Sequence, residues 1–316
     1  MPALAPLCVS AVADATPTIR TFHLASADGA VLPAYAPGAH VVLHLQSGLV
    51  RQYSICGDRE DRREYVIAVR LEKEGRGGSR FMHESLRVGS AVNRWSVGNN
   101  FPFDETAQSY RFIAGGVGIT PLMPMIARAH ALHRPFVLDY CSRSPSETLF
   151  YAELAGLAVG SIRFYHSNHA GGTRWCAARE IVLSGGDEQL YCCGPAGLIA
   201  DVKGATLDWP TNAVRFEYFQ AEATMPDAGD REFTVEAART GAVLRVPADK
   251  SMLWALREHG LNVESSCEAG ACGTCQTRYL DGIPDHRDLY LTEEERREFV
   301  MVCVSRAHTT RLVLDI

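Results

Sequence analysis

Along the first hundred residues, short apolar runs alternate with turn residues. One run, residues 41–45, ends shortly before Gly48, and a second, residues 65–69, is followed by Gly75. The segment shows no pattern typical of a long helix. Short runs of this kind, separated by glycine and proline, predict an antiparallel β-barrel or sandwich.

The hydrophobic pattern changes at Tyr110. Residues 111–114 are typical of a buried strand, residues 115–118 of a tight turn and residues 120–131 of a helix. The apolar face of this helix, spaced i, i+3, i+4 and i+7, consists of Leu122, Met125, Ile126 and Ala129. A second buried strand follows at residues 136–140. This alternation of strand and helix predicts an α/β fold with a parallel sheet.

A polar segment, residues 222–231, separates this region from the C-terminal part of the chain and is predicted to be a linker. Beyond it, polar and apolar residues alternate on both sides of Gly241, which predicts a hairpin. A short helix is expected at residues 251–259, with Asp249 or Ser251 as its N-cap and a glycine directly after its end.

With 316 residues, of which 47% are hydrophobic and 22% charged, the composition indicates a globular chain of two or three domains. The net charge is -6 and no basic stripe is present, so a nucleic-acid partner is not expected. The N-terminal residues do not resemble a signal peptide, and no apolar stretch is long enough to span a bilayer. We therefore expect a cytoplasmic protein without membrane attachment, whose 10 cysteines are metal ligands or buried thiols.

Four of the cysteines form a recognisable constellation. Three follow the spacing C-x4-C-x2-C and the fourth comes 27 residues later; they are Cys267, Cys272, Cys275 and Cys303. This spacing is typical of a plant-type 2Fe-2S cluster. The loop also contains Gly270, Ala271 and Gly273, small residues that let the backbone close around the sulfides.

Two alternatives to the cluster remain open from the residues alone. Structural zinc is one, although zinc sites usually pair two short knuckles and the chain has a single C-x2-C. Buried structural thiols are the other. The cysteines outside the constellation and outside Cys193 are predicted to pack in the core; they are Cys8, Cys56, Cys141, Cys176 and Cys192.

Three further segments suggest sites for phosphate groups. The first combines residues 51–54 at the start of a strand with residues 77–79, where an arginine, a serine and a glycine-rich loop can hold a phosphate. The second, residues 115–121, lies between a strand and a helix, where glycines allow close approach of a pyrophosphate. The third, Cys193-Gly194-Pro195, follows a predicted strand end, where ligands bind in open α/β sheets. Each is also compatible with an ordinary strand edge, loop or structural turn.

Taken in this order, the motifs give the chain a resemblance to the phthalate dioxygenase reductase family over essentially all of its length. The resemblance implies a multidomain fold: an antiparallel β-barrel flavin domain at residues 1–105, an α/β parallel-sheet nucleotide domain at residues 106–225 and an α+β β-grasp ferredoxin domain at residues 232–316. It also implies an oxidoreductase that passes electrons from NADH through FMN and the cluster to a partner oxygenase of the Rieske type.

The resemblance assigns roles to residues of this chain. The flavin motif falls on Arg51, Gln52, Tyr53, Ser54, Gly77, Gly78 and Ser79. The nicotinamide nucleotide would contact Gly115, Gly116, Gly118, Thr120, Cys193, Gly194 and Pro195. The Glu-x-Phe motif falls on Glu217 and Phe219, which places the aromatic ring near the flavin; Cys193, Ser54 and Phe219 are the expected catalytic residues.

The order of the domains favours FMN, with FAD as the alternative, because the flavin segment comes first and the ferredoxin segment last. The family resemblance favours NADH, although Arg143 near an adenosine ribose would be compatible with NADPH. Because hydride carries two electrons and the cluster accepts one, the flavin is expected to divide the pair. The alternative functions are a flavin-dependent reductase of a small molecule and a non-catalytic zinc-binding adaptor.

Overall fold

The computed structural model describes residues 5–45, 49–73, 77–157, 160–168, 174–181, 187–210, 212–219, 229–265, 268, 270, 273–288 and 290–316. The chain divides into two compact units, Met1–Glu217 and Tyr218–Ile316. None of the helices in these described ranges is both long and apolar enough to cross a lipid bilayer.

The N-terminal part of the first unit is an antiparallel sheet of six strands. The strands are β1 (Ala5–Thr16), β2 (Ile19–Ser26), β3 (His40–His44), β4 (Val50–Ser54), β5 (Glu64–Arg70) and β6 (Ala91–Gly98), and helix α1 (Gly78–Ser85) follows β5. Their order in the sheet is β4-β3-β6-β1-β2-β5. A bridge between Ile55 and Ile67 joins the two edges, so the sheet closes as the predicted barrel.

The rest of the first unit is a parallel sheet with helices between its strands. The elements are β7 (Ser109–Gly115), α2 (Leu122–Ala131), β8 (Phe136–Ser142), α3 (Tyr151–Ala155), β9 (Ser161–His166), α4 (Ala177–Glu180), β10 (Glu188–Cys193), α5 (Ala196–Ala205) and β11 (Val214–Glu217). The strand order is β11-β10-β7-β8-β9, and all four pairings are parallel. Helix α2 begins two residues later than predicted, because Gly116–Ile119 forms a short 3-10 turn. Its predicted apolar face is buried, which confirms the helical pattern.

The barrel and the parallel sheet of the first unit share one apolar core. Ile19, Cys56 and Ala68 of the barrel lie in the same buried cluster as the apolar face of α2. Gly38 also requires close packing here, because its φ is +86° and a Cβ at this position would lie 1.9 Å from the carbonyl oxygen of Phe101. The contact with Phe101 lies within the barrel segment, but the same Cβ would lie 2.8 Å from Cε of Met125 in α2. The two parts of the unit are therefore held together by closely packed buried side chains.

The second unit is a mixed sheet with one helix packed against it. Its elements are β12 (Phe233–Ala237), β13 (Ala242–Val246), α6 (Met252–Glu258), β14 (Gln276–Asp281), β15 (Pro284–Asp285), β16 (Phe299–Met301), β17 (Arg306–Ala307) and β18 (Arg311–Leu314). The main sheet has the order β13-β12-β18-β14-β16, and only the pairing of β12 with β18 is parallel among these neighbours. This is the predicted β-grasp fold. The predicted helix cap is confirmed at Ser251, whose side chain accepts a hydrogen bond from the Trp254 N–H at 3.1 Å.

Two predictions about individual residues are wrong. Asp230 was placed in the polar linker, but its carboxylate is buried and accepts hydrogen bonds from Arg287 at 2.5 and 3.0 Å; residues 220–228 lie outside the described residues. Cys176 was predicted to pack in the core, but its side chain is exposed. Local polarity did not reveal that Asp230 pairs with a distant arginine, and residue type did not reveal that Cys176 is exposed.

Candidate functional site

The first part of the candidate site lies between β7 and β10, at the carboxyl end of the parallel sheet. In the sheet, β7 has β8 on one side and β10 on the other. Because the chain continues from β7 to β8, the strand order reverses between β7 and β10, and ligands of open α/β sheets bind in the crevice at such a point. A Cβ on Gly118 would lie 2.2 Å from the carbonyl oxygen of Cys193, and one on Gly115 would lie 2.5 Å from Cδ of Pro195. The structure thus brings the glycine turn and the Cys-Gly-Pro segment into direct contact.

The turn after β7 is held by hydrogen bonds from within the unit. Gly116 has a φ of +55°, and its carbonyl accepts a hydrogen bond from the Tyr140 hydroxyl at 2.9 Å. The hydroxyl of buried Thr120 donates a hydrogen bond to the carbonyl of Val117 at 2.9 Å. This hydrogen bond stabilises the turn. A Cβ on Gly116 would meet no atom within 4 Å, which leaves open space beside this backbone for a ligand.

The flavin motif occupies the whole of β4 rather than only its start, because Arg51, Gln52, Tyr53 and Ser54 all lie within it. A Cβ on Gly78 would lie 2.8 Å from Nε of Arg51, so the arginine side chain crosses the beginning of α1. The structure therefore brings the arginine and the predicted phosphate loop together.

The predicted phosphate loop is the N-terminal end of a helix. Gly77 has a φ of +83° and precedes α1, whose first turn contains no acidic residue. The first N–H groups of a helix have no partner within it and favour an anion. The Ser79 hydroxyl accepts a hydrogen bond from the Glu72 N–H at 3.0 Å. The Ser79 side chain therefore holds the backbone at Glu72, a contact that sequence reasoning did not foresee.

A serine and a half-buried carboxyl group connect the barrel with the parallel sheet. The Ser54 hydroxyl donates to Oε2 of Glu217 at 3.4 Å, and the register of β10 and β11 pairs Glu217 with Cys193. Burial raises the pKa of Glu217 from 4.5 to about 8, and the hydrogen bond from Ser54 opposes this shift only in part. Glu217 is therefore protonated at neutral pH.

The thiol of Cys193 is fully buried. Burial, and to a smaller extent the nearby Glu217, raise the pKa of this thiol well above its ordinary value. It is a neutral group that occupies space, and it is not an activated nucleophile. Sequence reasoning chose Cys193 and Ser54 for the site and named Glu217 only as part of the Glu-x-Phe motif, without a catalytic role.

Two further predicted site residues, Arg143 and Phe219, lie just after the ends of strands. Arg143 is exposed directly after β8, and its carbonyl accepts a hydrogen bond from the Asn168 N–H at 2.9 Å. Phe219 follows β11 by two residues, belongs to the second unit and is 38% exposed. Their roles toward the nucleotide and the flavin stay predictions.

The described part of the cysteine constellation lies in the second unit. Cys275 directly precedes β14, and Cys303 follows β16 by two residues. Because Gln276 pairs with Met301, both cysteines come to the same end of this strand pair, and both are buried. Cys267 and Cys272 lie outside the described residues.

The glycines of the cysteine loop have no room for a side chain. Gly270 and Gly273 have φ values of +68° and +77°. A Cβ on Gly270 would lie 2.6 Å from Val304, and one on Gly273 would lie 2.4 Å from the ring of Tyr290. A loop of glycines in left-handed conformation beside two buried cysteines fits a backbone wrapped closely around an iron–sulfur cluster.

Comparisons with known proteins agree with this geometry. Residues 235–308 match the family model of the 2Fe-2S iron–sulfur cluster binding domain. The solved structure of phthalate dioxygenase reductase, described as modular for electron transfer from pyridine nucleotides to [2Fe-2S], has a TM-score of 0.79 and 35% identity, and the match covers 99% of this chain and 98% of that one. The chain belongs to the phthalate dioxygenase reductase family.

Two curated relatives extend this result. The reductase subunit of tert-butanol monooxygenase / tert-amyl alcohol desaturase from Aquincola tertiaricarbonis is 40% identical over 94% of this chain and 92% of its own length. Tetrachlorobenzoquinone reductase from Sphingobium chlorophenolicum is 36% identical over 98% of this chain and 97% of its own length.

As a member of the phthalate dioxygenase reductase family, the protein is an NADH-dependent flavin iron–sulfur oxidoreductase. Its cofactors are FMN and a 2Fe-2S cluster. The barrel, the parallel sheet and the β-grasp unit form the fold predicted from the sequence for a protein that uses FMN, NADH and a 2Fe-2S cluster.

Proposed function

We propose that the protein is the reductase component of a Rieske-type oxygenase system. The observation that carries this proposal is the hydrogen bond between Ser54 and Glu217, which joins the flavin strand of the barrel to the strand beside Cys193. This contact supports a flavin bound beside the crevice of the parallel sheet, in a chain whose residues 235–308 match a 2Fe-2S cluster binding domain.

The division of the chain follows from this proposal. Residues 1–105 form the FMN-binding barrel, residues 106–225 the NAD-binding domain and residues 232–316 the ferredoxin domain. FMN is held by Arg51, Gln52, Tyr53, Ser54, Gly77, Gly78 and Ser79, with Phe219 near its ring. NADH is held by Gly115, Gly116, Gly118, Thr120, Arg143, Cys193, Gly194 and Pro195, and the cluster by Cys267, Cys272, Cys275 and Cys303.

Bound FMN supplies the exchange between two-electron hydride chemistry and the one-electron chemistry of the cluster. The protein contributes position and charge. Arg51 and the start of α1 attract the FMN phosphate. The contact of Gly118 with the Cys193 backbone fixes the floor of the nucleotide crevice. Cys193 fills this floor with a neutral thiol, and Glu217 holds a proton on its carboxyl group that can hydrogen-bond with Ser54 or a bound ring.

The Rieske type of the acceptor can be tested directly. Purified Rieske-type oxygenase components serve as probes, with a cytochrome P450 as the alternative acceptor, and the reduction of each acceptor by NADH is followed spectroscopically in the presence of the reductase. We expect saturable reduction of at least one Rieske component. Reduction of the cytochrome P450 alone would contradict the proposal.

A second candidate function is supported by the similarity to tetrachlorobenzoquinone reductase. In this case the protein would transfer electrons to a small quinone without an oxygenase. Steady-state NADH oxidation with tetrachlorobenzoquinone distinguishes the two: a kcat/KM for the quinone above that for every Rieske component would favour the quinone as the physiological acceptor.

The raised pKa of Glu217 has a consequence for stability. The pKa of Glu217 is raised from 4.5 to about 8 in the folded state, so this carboxyl group binds a proton more tightly there. Its contribution to the free energy of unfolding is fully present below pH 4.5 and is lost as the pH rises toward 8. Glu217→Gln resembles the protonated form at every pH. The thermal midpoint of unfolding is measured by the release of fluorescent flavin. We expect the midpoint of the variant, relative to that of the wild type, to rise as the pH increases between these two values.

The difference between variant and wild type should become constant above about pH 8. Ser54→Ala is the matched control, since it removes the hydrogen bond that lowers the pKa of Glu217 and should move the inflection to higher pH. A difference that does not change with pH would show that Glu217 titrates normally.

A further inference from the structure

One arginine of the second unit connects helix α6 with the cysteine loop. Nη1 of Arg257 donates to Oε1 of Glu268 at 2.8 Å, and its Nη2 donates to the hydroxyl of Ser265. Ser265 in turn donates to the same carboxylate oxygen of Glu268 at 3.3 Å. The two residues lie on either side of Cys267 in the chain, so a single guanidinium holds both flanks of that cysteine.

Glu268 has an unfavourable backbone conformation. Its φ is +48°, and among the described residues only His133 and Phe150 are other non-glycine positions with a positive φ. For a residue with a Cβ, the left-handed region is sterically unfavourable. Such a conformation persists only where surrounding contacts hold it, and the side chain of Glu268 accepts hydrogen bonds from Arg257 and Ser265.

The helix that carries Arg257 is firmly anchored. Met252, Leu253, Ala255 and Leu256 are buried in the same apolar core as Cys275 and Cys303. Arg257 lies on the exposed side of α6 and reaches the loop from there. One face of α6 therefore packs in the core that contains two of the cysteines, while the other face is tied to the segment that carries a third.

From these contacts we infer that Arg257 is a positioning residue of the iron–sulfur site. By holding Glu268 in its left-handed conformation, Arg257 fixes the backbone directly next to Cys267, and so the reduction potential of the cluster and its retention. The inference rests on the proposed assignment of Cys267, Cys272, Cys275 and Cys303 as ligands.

The test uses the holoprotein and four variants. Arg257→Met and Glu268→Ala each remove the contact but keep a side chain at position 268, for which a positive φ is unfavourable. The double variant Arg257→Met with Glu268→Gly also lacks the contact, but glycine adopts a positive φ without strain. Arg239→Met is the matched control, because it removes a similar exposed ion pair of the same unit, with Asp315 at 2.8 Å.

The measurements are the EPR spectrum of the reduced cluster, its midpoint potential and the rate of bleaching in the presence of a chelator. Arg257→Met and Glu268→Ala should shift the potential, alter the EPR line shape and bleach about two- to fivefold faster, the scale expected for losing an exposed ion pair. The double variant should recover much of the wild-type bleaching rate, and Arg239→Met should match the wild type.

The inference is overturned if Arg257→Met has the EPR spectrum, midpoint potential and bleaching rate of the wild type. It is also overturned if Arg239→Met changes as much as Arg257→Met, or if the double variant bleaches as fast as Arg257→Met. These outcomes leave the ligand assignment intact. The ligand assignment fails separately if the wild type contains zinc without iron, or if Cys275→Ser retains an unchanged cluster.

Discussion

The variant Cys275→Ser is expected to oxidise NADH with ferricyanide at the wild-type rate and to deliver almost no electrons to an oxygenase. Serine is a harder and far more weakly acidic ligand than cysteine, so one iron would be poorly held. Cys275 lies in the core of the second unit, whereas the flavin and nucleotide motifs lie in the first. Flavin content and the reduction of flavin by NADH should therefore remain unchanged.

The measurements are iron and sulfide content, stopped-flow reduction of flavin, and oxygenase turnover. Cys176→Ser is the matched control, since it makes the same chemical change at an exposed cysteine and should resemble the wild type in all three. Full oxygenase turnover by Cys275→Ser would mean that the cluster is not on the path of the electrons.

A second large effect is expected from Gly118→Ala. The added methyl group would lie 2.2 Å from the carbonyl oxygen of Cys193, and because this contact is with backbone, relief requires that the turn and the Cys-Gly-Pro segment move apart. A displacement of about 1 Å in a positioned reactant can slow a reaction by about a hundredfold. We expect the reduction of flavin by NADH to slow by about this factor.

The control for this substitution is Gly197→Ala in α5, where the new methyl group would meet no atom within 4 Å. Stopped-flow traces give the rate of flavin reduction, and bound flavin is measured by absorbance after release. Gly118→Ala with normal hydride transfer would show that the contact with Cys193 does not shape the nucleotide crevice. A loss of bound flavin, by contrast, would indicate a wider disruption of the unit.

Local patterns in the sequence predicted much of the fold. The turn after β7, the buried face of α2 and the cap at Ser251 each depend on residues within a few positions of one another, so their spacing is sufficient evidence. The cysteine spacing is equally local for its first three members. Cys303 could be joined to them only because the complete pattern is distinctive.

Contacts between distant segments were harder to predict. Ser54 and Glu217 are 163 residues apart, and nothing in either local sequence shows that burial would raise the pKa of the carboxyl group. The same reason explains the error at Asp230, which pairs with Arg287 at a separation of 57 residues. Helix α1 was missed for another reason: it has eight residues and begins with glycine and serine, which locally favour a loop.

The apolar core shared by the barrel and the parallel sheet determines where the gene can be cut and rejoined. A chimera joined after Glu217 exchanges a complete electron-carrier module, because the boundary between the two compact units falls there. A junction near residue 105 would instead require two foreign surfaces to reproduce the packing of Ile19, Cys56 and Ala68 against α2. Recombination, whether natural or in the laboratory, should therefore transmit the flavin and nucleotide parts as one inherited block.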